Sequence, residues 1–237
     1  MKTALVLLPG LDGTGTLFWK LVPELAAELE PTIVRYPPDV PLGYPESEAI
    51  ARQSLPASRP FILLGESFSG PIAISIAASA PPGLAGLVLC GSFASCPRPY
   101  LARLWPLVRR LPIHSSSASL LSKYFAGRFS SPELQSALNQ ARKSVAEEVL
   151  RARIAAVCAA DFSNELRRIR IPILYLRASR DRIVPRTASA KIKRLVPCVR
   201  IVDIEGPHYM LQARPEASAE AIRGFAREIG VGDARGS

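Results

Sequence analysis

Short, mostly apolar runs of five to seven residues alternate along the chain with segments of helical periodicity. Runs of this length match buried strands, and the predicted strands span residues 4–8, 32–36, 60–64, 84–90, 172–177 and 199–204. The predicted helices span residues 17–29, 46–55, 71–79, 187–195 and 215–229. Continuous apolar strands separated by helices predict an α/β fold with a mostly parallel sheet of about six strands and helices on both faces.

Residues 93–168 interrupt this alternation. They contain no run typical of a buried strand, and they are rich in Leu, Ala, Ser and Arg. Four prolines punctuate their first part, namely Pro97, Pro99, Pro106 and Pro112. We therefore predict a helical cap at residues 93–168, inserted into an α/β core of residues 1–92 and 169–237. Such a cap would lie over the crevice in which open α/β sheets bind ligands.

Composition and charge add little to this picture. Hydrophobic residues make up 48% of the 237 residues, enough for a sizeable core. The formal net charge of +10 could favour an acidic partner, an anionic membrane surface or nucleic acid. An arginine-rich, solvated surface explains the charge more simply. Nucleic-acid binding would rest on charge alone, since no recognition motif is present, and we predict none.

The cysteines and the N-terminus bear on location. Cys90, Cys96, Cys158 and Cys198 form no C-x-x-C pair, which favours free thiols in a reducing compartment. The apolar run near the N-terminus is only five residues long, too short for a signal peptide or a membrane span. We therefore expect a cytoplasmic protein without stable membrane insertion.

Ser67 lies in the sequence Gly65-Glu66-Ser67-Phe68-Ser69-Gly70, between a predicted strand and a predicted helix. A nucleophile elbow needs this strand–turn–helix context, with small residues that allow the sharp turn. The usual pattern is G-x-S-x-G, and here a serine holds the last small position. Alone, so loose a match would favour a plain glycine-serine turn before a helix.

His208 supplies the base that an elbow serine needs. It follows the last predicted strand and precedes the C-terminal helix, and a neutral imidazole there can accept the serine proton. His114 is the other histidine of the chain, and we assign it to the cap or its surface.

Asp181 is the candidate for the group that orients His208. It follows the strand predicted at residues 172–177, so the chain order is Ser67, Asp181, His208, the order that this type of elbow uses. A helix-capping role or a pairing with a neighbouring arginine is the alternative. Asp161 and Asp203 are weaker candidates, because neither lies in a loop that faces His208.

The loop Pro9-Gly10-Leu11-Asp12-Gly13-Thr14-Gly15 follows the first predicted strand. Acyl transfer needs N–H donors for the developing oxyanion, and we assign them to the backbone amides of Leu11 and of Phe68, which follows the nucleophile. The glycines of this loop do not have the G-x-G-x-x-G spacing of a dinucleotide-binding loop. A dehydrogenase is therefore not favoured.

These motifs together resemble the α/β-hydrolase superfamily over nearly the whole chain. Within it, the size and cap resemble small carboxylesterases, including pimeloyl-acyl-carrier-protein methyl ester esterases. The loop at residues 9–15 and the elbow are also similar to hydrolases that are related to plant acyltransferases and act on phytyl esters. Pro9 stands where a histidine is commoner in the superfamily. Because the first predicted strand begins at residue 4, we expect a sheet without the two N-terminal strands of the fuller fold.

The cap offers candidate substrate contacts. Residues 101–111 carry a wide apolar helical face, which packs mainly on the core in the simplest interpretation. The candidate liners of an acyl pocket are Phe93, Trp105, Phe125 and Phe129. The resemblance to carrier-protein esterases implies that a basic cluster, Arg142, Lys143, Arg151 and Arg153, docks an acidic acyl carrier protein. A solvated charged face is the alternative.

The sequence thus predicts a serine hydrolase that cleaves a small-molecule acyl ester through an acyl-enzyme. We predict no cofactor and no metal. A thioesterase or acyltransferase with the same residues stays open, as does a non-enzymatic binding protein on this fold. Haloalkane-type and epoxide hydrolases use an aspartate at the elbow, and Ser67 argues against them.

Overall fold

The computed structural model describes residues 2–108 and 116–230, with the side chains of residues 101, 105–108 and 116–119 left out. Six strands form one sheet in the order β2-β1-β3-β4-β5-β6, and every neighbouring pair is parallel. They are β1 Thr3–Leu8, β2 Leu29–Ile33, β3 Phe61–Glu66, β4 Leu84–Cys90, β5 Ile173–Ala178 and β6 Arg200–Ile204. The predicted fold class is confirmed.

Helices follow the strands in the order that the sequence pattern predicts. Those in the described residues are α1 Leu21–Leu25, α2 Tyr44–Gln53, α3 Gly70–Ala78, α4 Pro99–Val108, α5 Ser116–Ala126, α6 Pro132–Lys143, α7 Glu147–Ala159, α8 Ser163–Arg168, α9 Arg186–Leu195, α10 Met210–Ala213 and α11 Pro215–Glu228. Local sequence sets several of the ends. Pro132 begins α6, and Ser131 Oγ caps that helix by accepting the Leu134 N–H at 3.1 Å.

Two hydrophobic clusters sandwich the sheet. Alternate residues of each central strand point to opposite faces, as the period of a strand requires, so Val6 and Leu63 lie in one cluster and Leu7 and Leu64 in the other. Helices α2, α3, α8 and α9 contribute to the first cluster, and α1 and α11 to the second. Burial on both faces explains why these strands are continuously apolar.

The first helix and second strand differ from the prediction. Residues 17–29 were expected to form one helix, but a short 3-10 turn, Thr16–Trp19, precedes α1, and Leu29 already belongs to β2. The strand expected at residues 32–36 lies at Leu29–Ile33 and includes Pro31. A proline is tolerated there because β2 is an edge strand, with one row of backbone groups unpaired.

Helices α4 to α8 fill the interval between β4 and β5. Ala126, Leu134, Leu138 and Ala141 form a small apolar cluster of their own with Leu17, whereas α8 packs against α3 in the main core. The division into core and cap at residues 93 and 168 stays a prediction. Trp105 lies in α4 among the side chains left out, and His114 lies outside the described residues.

Two smaller observations concern the cysteines and the membrane. All four cysteines are free thiols, and Cys90 is buried in the sheet. Within residues 2–108 and 116–230, no helix combines the length and apolar character needed to cross a bilayer.

Candidate active site

Ser67, Asp181 and His208 meet at the carboxyl edge of the sheet. Ser67 follows β3, Asp181 follows β5 and His208 follows β6. The His208 ring links the other two, with Nε2 at 2.9 Å from Ser67 Oγ and Nδ1 at 2.8 Å from Asp181 Oδ2. The three predicted side chains therefore form one continuous series of hydrogen bonds, although they are 141 and 27 positions apart along the chain.

The Asp181 carboxylate is held by the loop that it begins. Its Oδ1 accepts the backbone N–H groups of Ile183 and Val184, both at 2.8 Å, which leaves Oδ2 for His208. The side chains of Asp181 and His208 are only 7% and 8% exposed. A carboxylate fixed in this way keeps the imidazole in one orientation and places the Nδ1 proton between the two residues.

Charge and burial act on His208 in opposite directions. Burial of the ring lowers its pKa, but the Asp181 carboxylate raises it through its charge and hydrogen bond, and Glu66 adds to this. The net effect is a pKa above the usual value of 6.5. The ring is therefore a stronger base than a free imidazole, as a proton acceptor for a serine requires.

Ser67 occupies a strained turn. Its φ is +47°, a left-handed conformation that non-glycine residues rarely adopt and that is typical of functional sites. The turn also demands close packing, because a Cβ atom on Gly65 would lie 2.7 Å from the Ser69 carbonyl oxygen. The sharp strand-to-helix turn expected around Ser67 is present.

Ser69 explains the departure from the usual elbow pattern. Its buried hydroxyl donates a hydrogen bond to the Pro9 carbonyl oxygen and lies 3.1 Å from the Tyr36 hydroxyl. The serine thus connects the elbow with the loop after β1, a contact that glycine could not make. The extra methylene and hydroxyl fit because Tyr36 and Pro9 supply hydrogen-bonding partners.

The loop after β1 turns at residues 10–13. The Gly13 N–H donates to the Gly10 carbonyl at 3.0 Å, which closes the turn. Because N–H and C=O of one peptide group point in opposite directions, the Leu11 N–H faces away from the turn interior. Phe68, the other predicted donor, is fixed by its ring, which stacks on Tyr44 with a centroid separation of 4.9 Å. The assignment of an oxyanion site to these two amides stays a prediction.

Glu66 and Gln212 form a polar pair beneath the site that the sequence analysis missed. Gln212 Nε2 donates to Glu66 Oε1 at 3.0 Å, and Gln212 is 2% exposed. Burial, opposed by the Gln212 hydrogen bond, raises the pKa of the Glu66 carboxyl to about 7. The signal in the sequence was an acidic residue next to Ser67, at the end of an otherwise apolar strand.

The candidate pocket liners occupy different places. Phe125 and Phe129 line a cavity of about 450 Å³ that also reaches Asp181, together with Arg128, Arg180 and Arg182. Phe93 is 2% exposed and lies within the main core cluster. The substrate-contact roles of Phe93, Trp105, Phe125 and Phe129 stay predictions.

The basic cluster of the cap is divided by the structure. Lys143 is exposed and Arg151 pairs with Glu147 at 2.7 Å, whereas Arg153 is fully buried. Its placement on a surface cluster was therefore wrong: the side chain faces inward from α7, and its two Nη atoms donate hydrogen bonds to three backbone carbonyl groups. Burial lowers the pKa of Arg153, opposed by the nearby Asp12 carboxylate and Tyr36. Docking of an acidic carrier protein stays a prediction, without Arg153.

The described residues of this site do not form a set of metal ligands. Among the side chains that the structure describes, no three His, Cys, Asp or Glu residues gather as a metal site would require.

Comparison with known proteins supports this picture at the level of the fold. A model of the alpha/beta hydrolase family matches residues 5–221. No curated protein matches the sequence significantly. Among solved structures, the enol-lactonase from Burkholderia xenovorans LB400 is 17% identical, with a TM-score of 0.83 over 96% of this chain and 92% of that chain.

Two further solved structures resemble the chain to the same degree. Bromoperoxidase from Bacillus anthracis is 16% identical, with a TM-score of 0.84 over 96% of this chain and 92% of its own. An esterase from Exiguobacterium antarcticum is 18% identical, with a TM-score of 0.79 over 95% of this chain and 92% of its own. At these identities the similarity establishes a shared fold.

Proposed function

This chain belongs to the alpha/beta hydrolase family, and from that premise we propose that it is a serine hydrolase that cleaves carboxylic esters through an acyl-enzyme. The observation that carries the proposal is the hydrogen-bonded series from Ser67 Oγ through His208 to Asp181. A serine hydroxyl is a weak nucleophile until an adjacent base accepts its proton, and this arrangement supplies the base and the group that orients it.

The first half of the reaction forms the acyl-enzyme. Ser67 Oγ attacks the ester carbonyl carbon while its proton passes to His208 Nε2, and the Asp181 carboxylate stabilises the imidazolium. The N–H groups of Phe68 and Leu11 hold the oxyanion of the tetrahedral intermediate. When the intermediate collapses, the bond to the alcohol oxygen breaks and His208 returns its proton to the leaving alcohol.

The second half releases the acid. A water molecule gives a proton to His208 and attacks the acyl carbonyl, and collapse of the second intermediate restores the Ser67 hydroxyl. Proton transfers in both halves run through Nε2, because Nδ1 remains engaged with Asp181. The proton transfers are supported by the hydrogen bonds that join Ser67, His208 and Asp181.

The descriptions of two structural neighbours support esters as the proposed substrate class. One is an enol-lactonase and one is an esterase by their descriptions, and both activities break a carboxylic ester bond. The same residues would serve a thioesterase or acyltransferase. Product analysis with acyl thioesters and with added alcohols separates these activities from ester hydrolysis.

A panel of p-nitrophenyl esters graded by acyl length tests the proposal and measures the preferred acyl chain. We expect turnover by the parent protein and none by Ser67→Ala, with the circular dichroism spectrum unchanged. A fluorophosphonate probe should label the parent and not this variant. Ser79→Ala, at the other end of α3, is the matched control and should keep both activity and labelling.

Two results would contradict the proposal. Activity retained by Ser67→Ala would remove this serine from the nucleophile role. A folded parent protein that neither turns over esters nor reacts with the fluorophosphonate would instead favour a binding protein on this fold.

A further inference from the structure

Arg153 reaches from α7 into the loop after β1. Its side chain is fully buried, and Nη1 donates to the carbonyl oxygens of Leu11 at 3.0 Å and Asp12 at 2.6 Å. Nη2 donates to the Pro37 carbonyl at 3.0 Å, in the segment after β2. One guanidinium thus bridges two loops of the core from a helix that lies between β4 and β5.

The loop is shaped to receive this guanidinium. A Cβ atom on Gly13 would lie 2.5 Å from Arg153 Nη1, and the φ of Gly13 is +69°, so only glycine fits there without displacement. The ring of Tyr36 lies 5.7 Å from the guanidinium carbon on another side. Arg153 is therefore enclosed by the segments that it connects.

The bonds of Arg153 differ from those of an ordinary ion pair. Among the described residues it forms no salt bridge, and its hydrogen bonds all go to neutral backbone carbonyls. A planar fork of donors with fixed angles defines where its acceptors lie more narrowly than a flexible amine does. The geometry is that of a clamp on backbone position.

The carbonyl groups that Arg153 binds adjoin the Leu11 amide, the predicted oxyanion donor. The Gly10 carbonyl accepts the Gly13 N–H, which orients the Leu11 N–H, and Arg153 holds the next two carbonyls in the chain. The Leu11 side chain also packs against a small cluster of Val145, just before α7, and Val149 and Leu150 in its first turn. A rotation of the Leu11 peptide would have to break these contacts together.

We infer that Arg153 is a positioning residue, which sets the loop at residues 10–13 so that the Leu11 N–H meets the oxyanion. The catalytic part of this inference rests on the proposed ester hydrolysis. The restraint on the loop rests on the hydrogen bonds of Arg153 alone. Arg153 touches no reacting atom. It acts through the loop, and it makes the helices between β4 and β5 part of the catalytic apparatus.

Kinetics of Arg153→Met, Arg153→Lys and Arg167→Met test the catalytic part. Misplacing a donor by about 1 Å lowers kcat by about 100-fold, so we expect a loss of that order in Arg153→Met with KM little changed. Lysine keeps the charge but not the planar set of donors and should recover part of kcat. Arg167→Met removes an exposed cation from α8, where Arg167 donates to Asn164, and should match the parent.

Binding of a boronic acid separates positioning from general stability. This transition-state mimic uses the oxyanion donors, so Arg153→Met should weaken its binding by about the same factor as kcat, while binding of the carboxylic acid product stays unchanged. A purely structural role would lower the unfolding midpoint but leave kcat and the affinity for the boronic acid at the parent values. That result would overturn the inference.

Hydrogen exchange tests the clamp without any substrate. Loss of the guanidinium should speed exchange of the amides in residues 10–13 by about tenfold in Arg153→Met, and exchange should be unchanged in Arg167→Met. If the parent hydrolyses no ester, the proposed function fails but this measurement still decides on the clamp. If Arg153→Met does not fold, Arg153→Lys and Gly13→Ala provide the same comparison. Unchanged loop exchange in a folded variant would overturn the inference.

Discussion

Gly70 packs so closely against Ser92 that residue 70 has no room for a side chain. A Cβ atom on Gly70 would lie 1.6 Å from Ser92 Oγ, and that hydroxyl donates a 2.7 Å hydrogen bond to the Ser67 carbonyl oxygen. The Ser92 carbonyl in turn accepts the Tyr175 hydroxyl at 2.7 Å. The absence of a side chain at residue 70 therefore allows β5 and the segment after β4 to hold the nucleophile turn from behind.

Gly70→Ala should disrupt this support. The new methyl group cannot coexist with the Ser92 hydroxyl, so we expect a loss of about 1–3 kcal/mol in the free energy of unfolding and a lower kcat. Gly224→Ala is the matched control: it lies inside α11, nothing lies within 4 Å of its added Cβ, and it should stabilise the protein by up to about 1 kcal/mol. Urea unfolding and ester turnover measure both effects. Equal stability of the two variants would contradict the steric argument.

The positions of Ser67, Asp181 and His208 were predictable because each follows a buried strand. Continuous apolar runs mark the strands of a parallel sheet, and such a sheet brings the residues after its carboxyl ends to one edge. Asp181 was favoured over Asp161 and Asp203 because it alone of the three lies in a loop after a predicted strand that can face His208. In the structure Asp161 bonds Ser163, and Asp203 pairs with Arg177.

Other features depend on contacts that a linear pattern does not contain. Arg153 looks like a surface cation beside Arg151, and only the carbonyls of a loop more than 140 residues away show why it is buried. Ser69 similarly looks like a defect in the elbow until Pro9 and Tyr36 are placed beside it. Likewise, β2 includes Pro31, which an edge strand tolerates, and the edge position is not visible in local propensity.

Asp181→Asn should separate orientation from charge. An amide at this position favours the wrong tautomer of His208, so we expect kcat to fall by about 10³- to 10⁴-fold. The Asp181 carboxylate raises the pKa of His208, so the acid limb of kcat/KM should also move to lower pH in any residual activity. Asp203→Asn, which breaks an ion pair with Arg177 on β5, should leave both quantities unchanged. A pH–rate profile of the three proteins checks this, and an unmoved acid limb would exclude Asp181 as the source of the shift.

Glu66→Gln should change the pH dependence of stability. The pKa of the Glu66 carboxyl is about 7 in the folded protein against an ordinary value of 4.5. Between these values the folded protein holds a proton that the unfolded chain releases, so the free energy of unfolding falls as the pH rises. Glutamine removes this slope and should stabilise the protein at pH 8 by about 1–3 kcal/mol.

The matched control for Glu66 is Glu30→Gln. Glu30 is paired with Arg59, which holds the pKa of its carboxyl below the usual value, so this variant should keep the slope between pH 4.5 and 7. Glu66 also raises the pKa of His208, and its neutralisation should shift the acid limb of kcat/KM to lower pH. Urea titrations at several pH values measure the slope. A slope that persists in Glu66→Gln would assign it to another group.

The strain at Ser67 should be measurable as stability. A left-handed φ of +47° penalises any residue with a Cβ atom, so Ser67→Gly should be more stable than Ser67→Ala by about 1 kcal/mol, although both lack the nucleophile. Ala80, with φ of +48°, is the matched control outside the site. Ala80→Gly should gain a similar amount and keep full activity. Urea unfolding of the three variants tests this. A gain at Ala80 without one at Ser67 would contradict the prediction. It would mean that contacts around the elbow, including those of Gly65 and Ser92, offset the cost of the left-handed conformation at Ser67, so that the turn stores no strain.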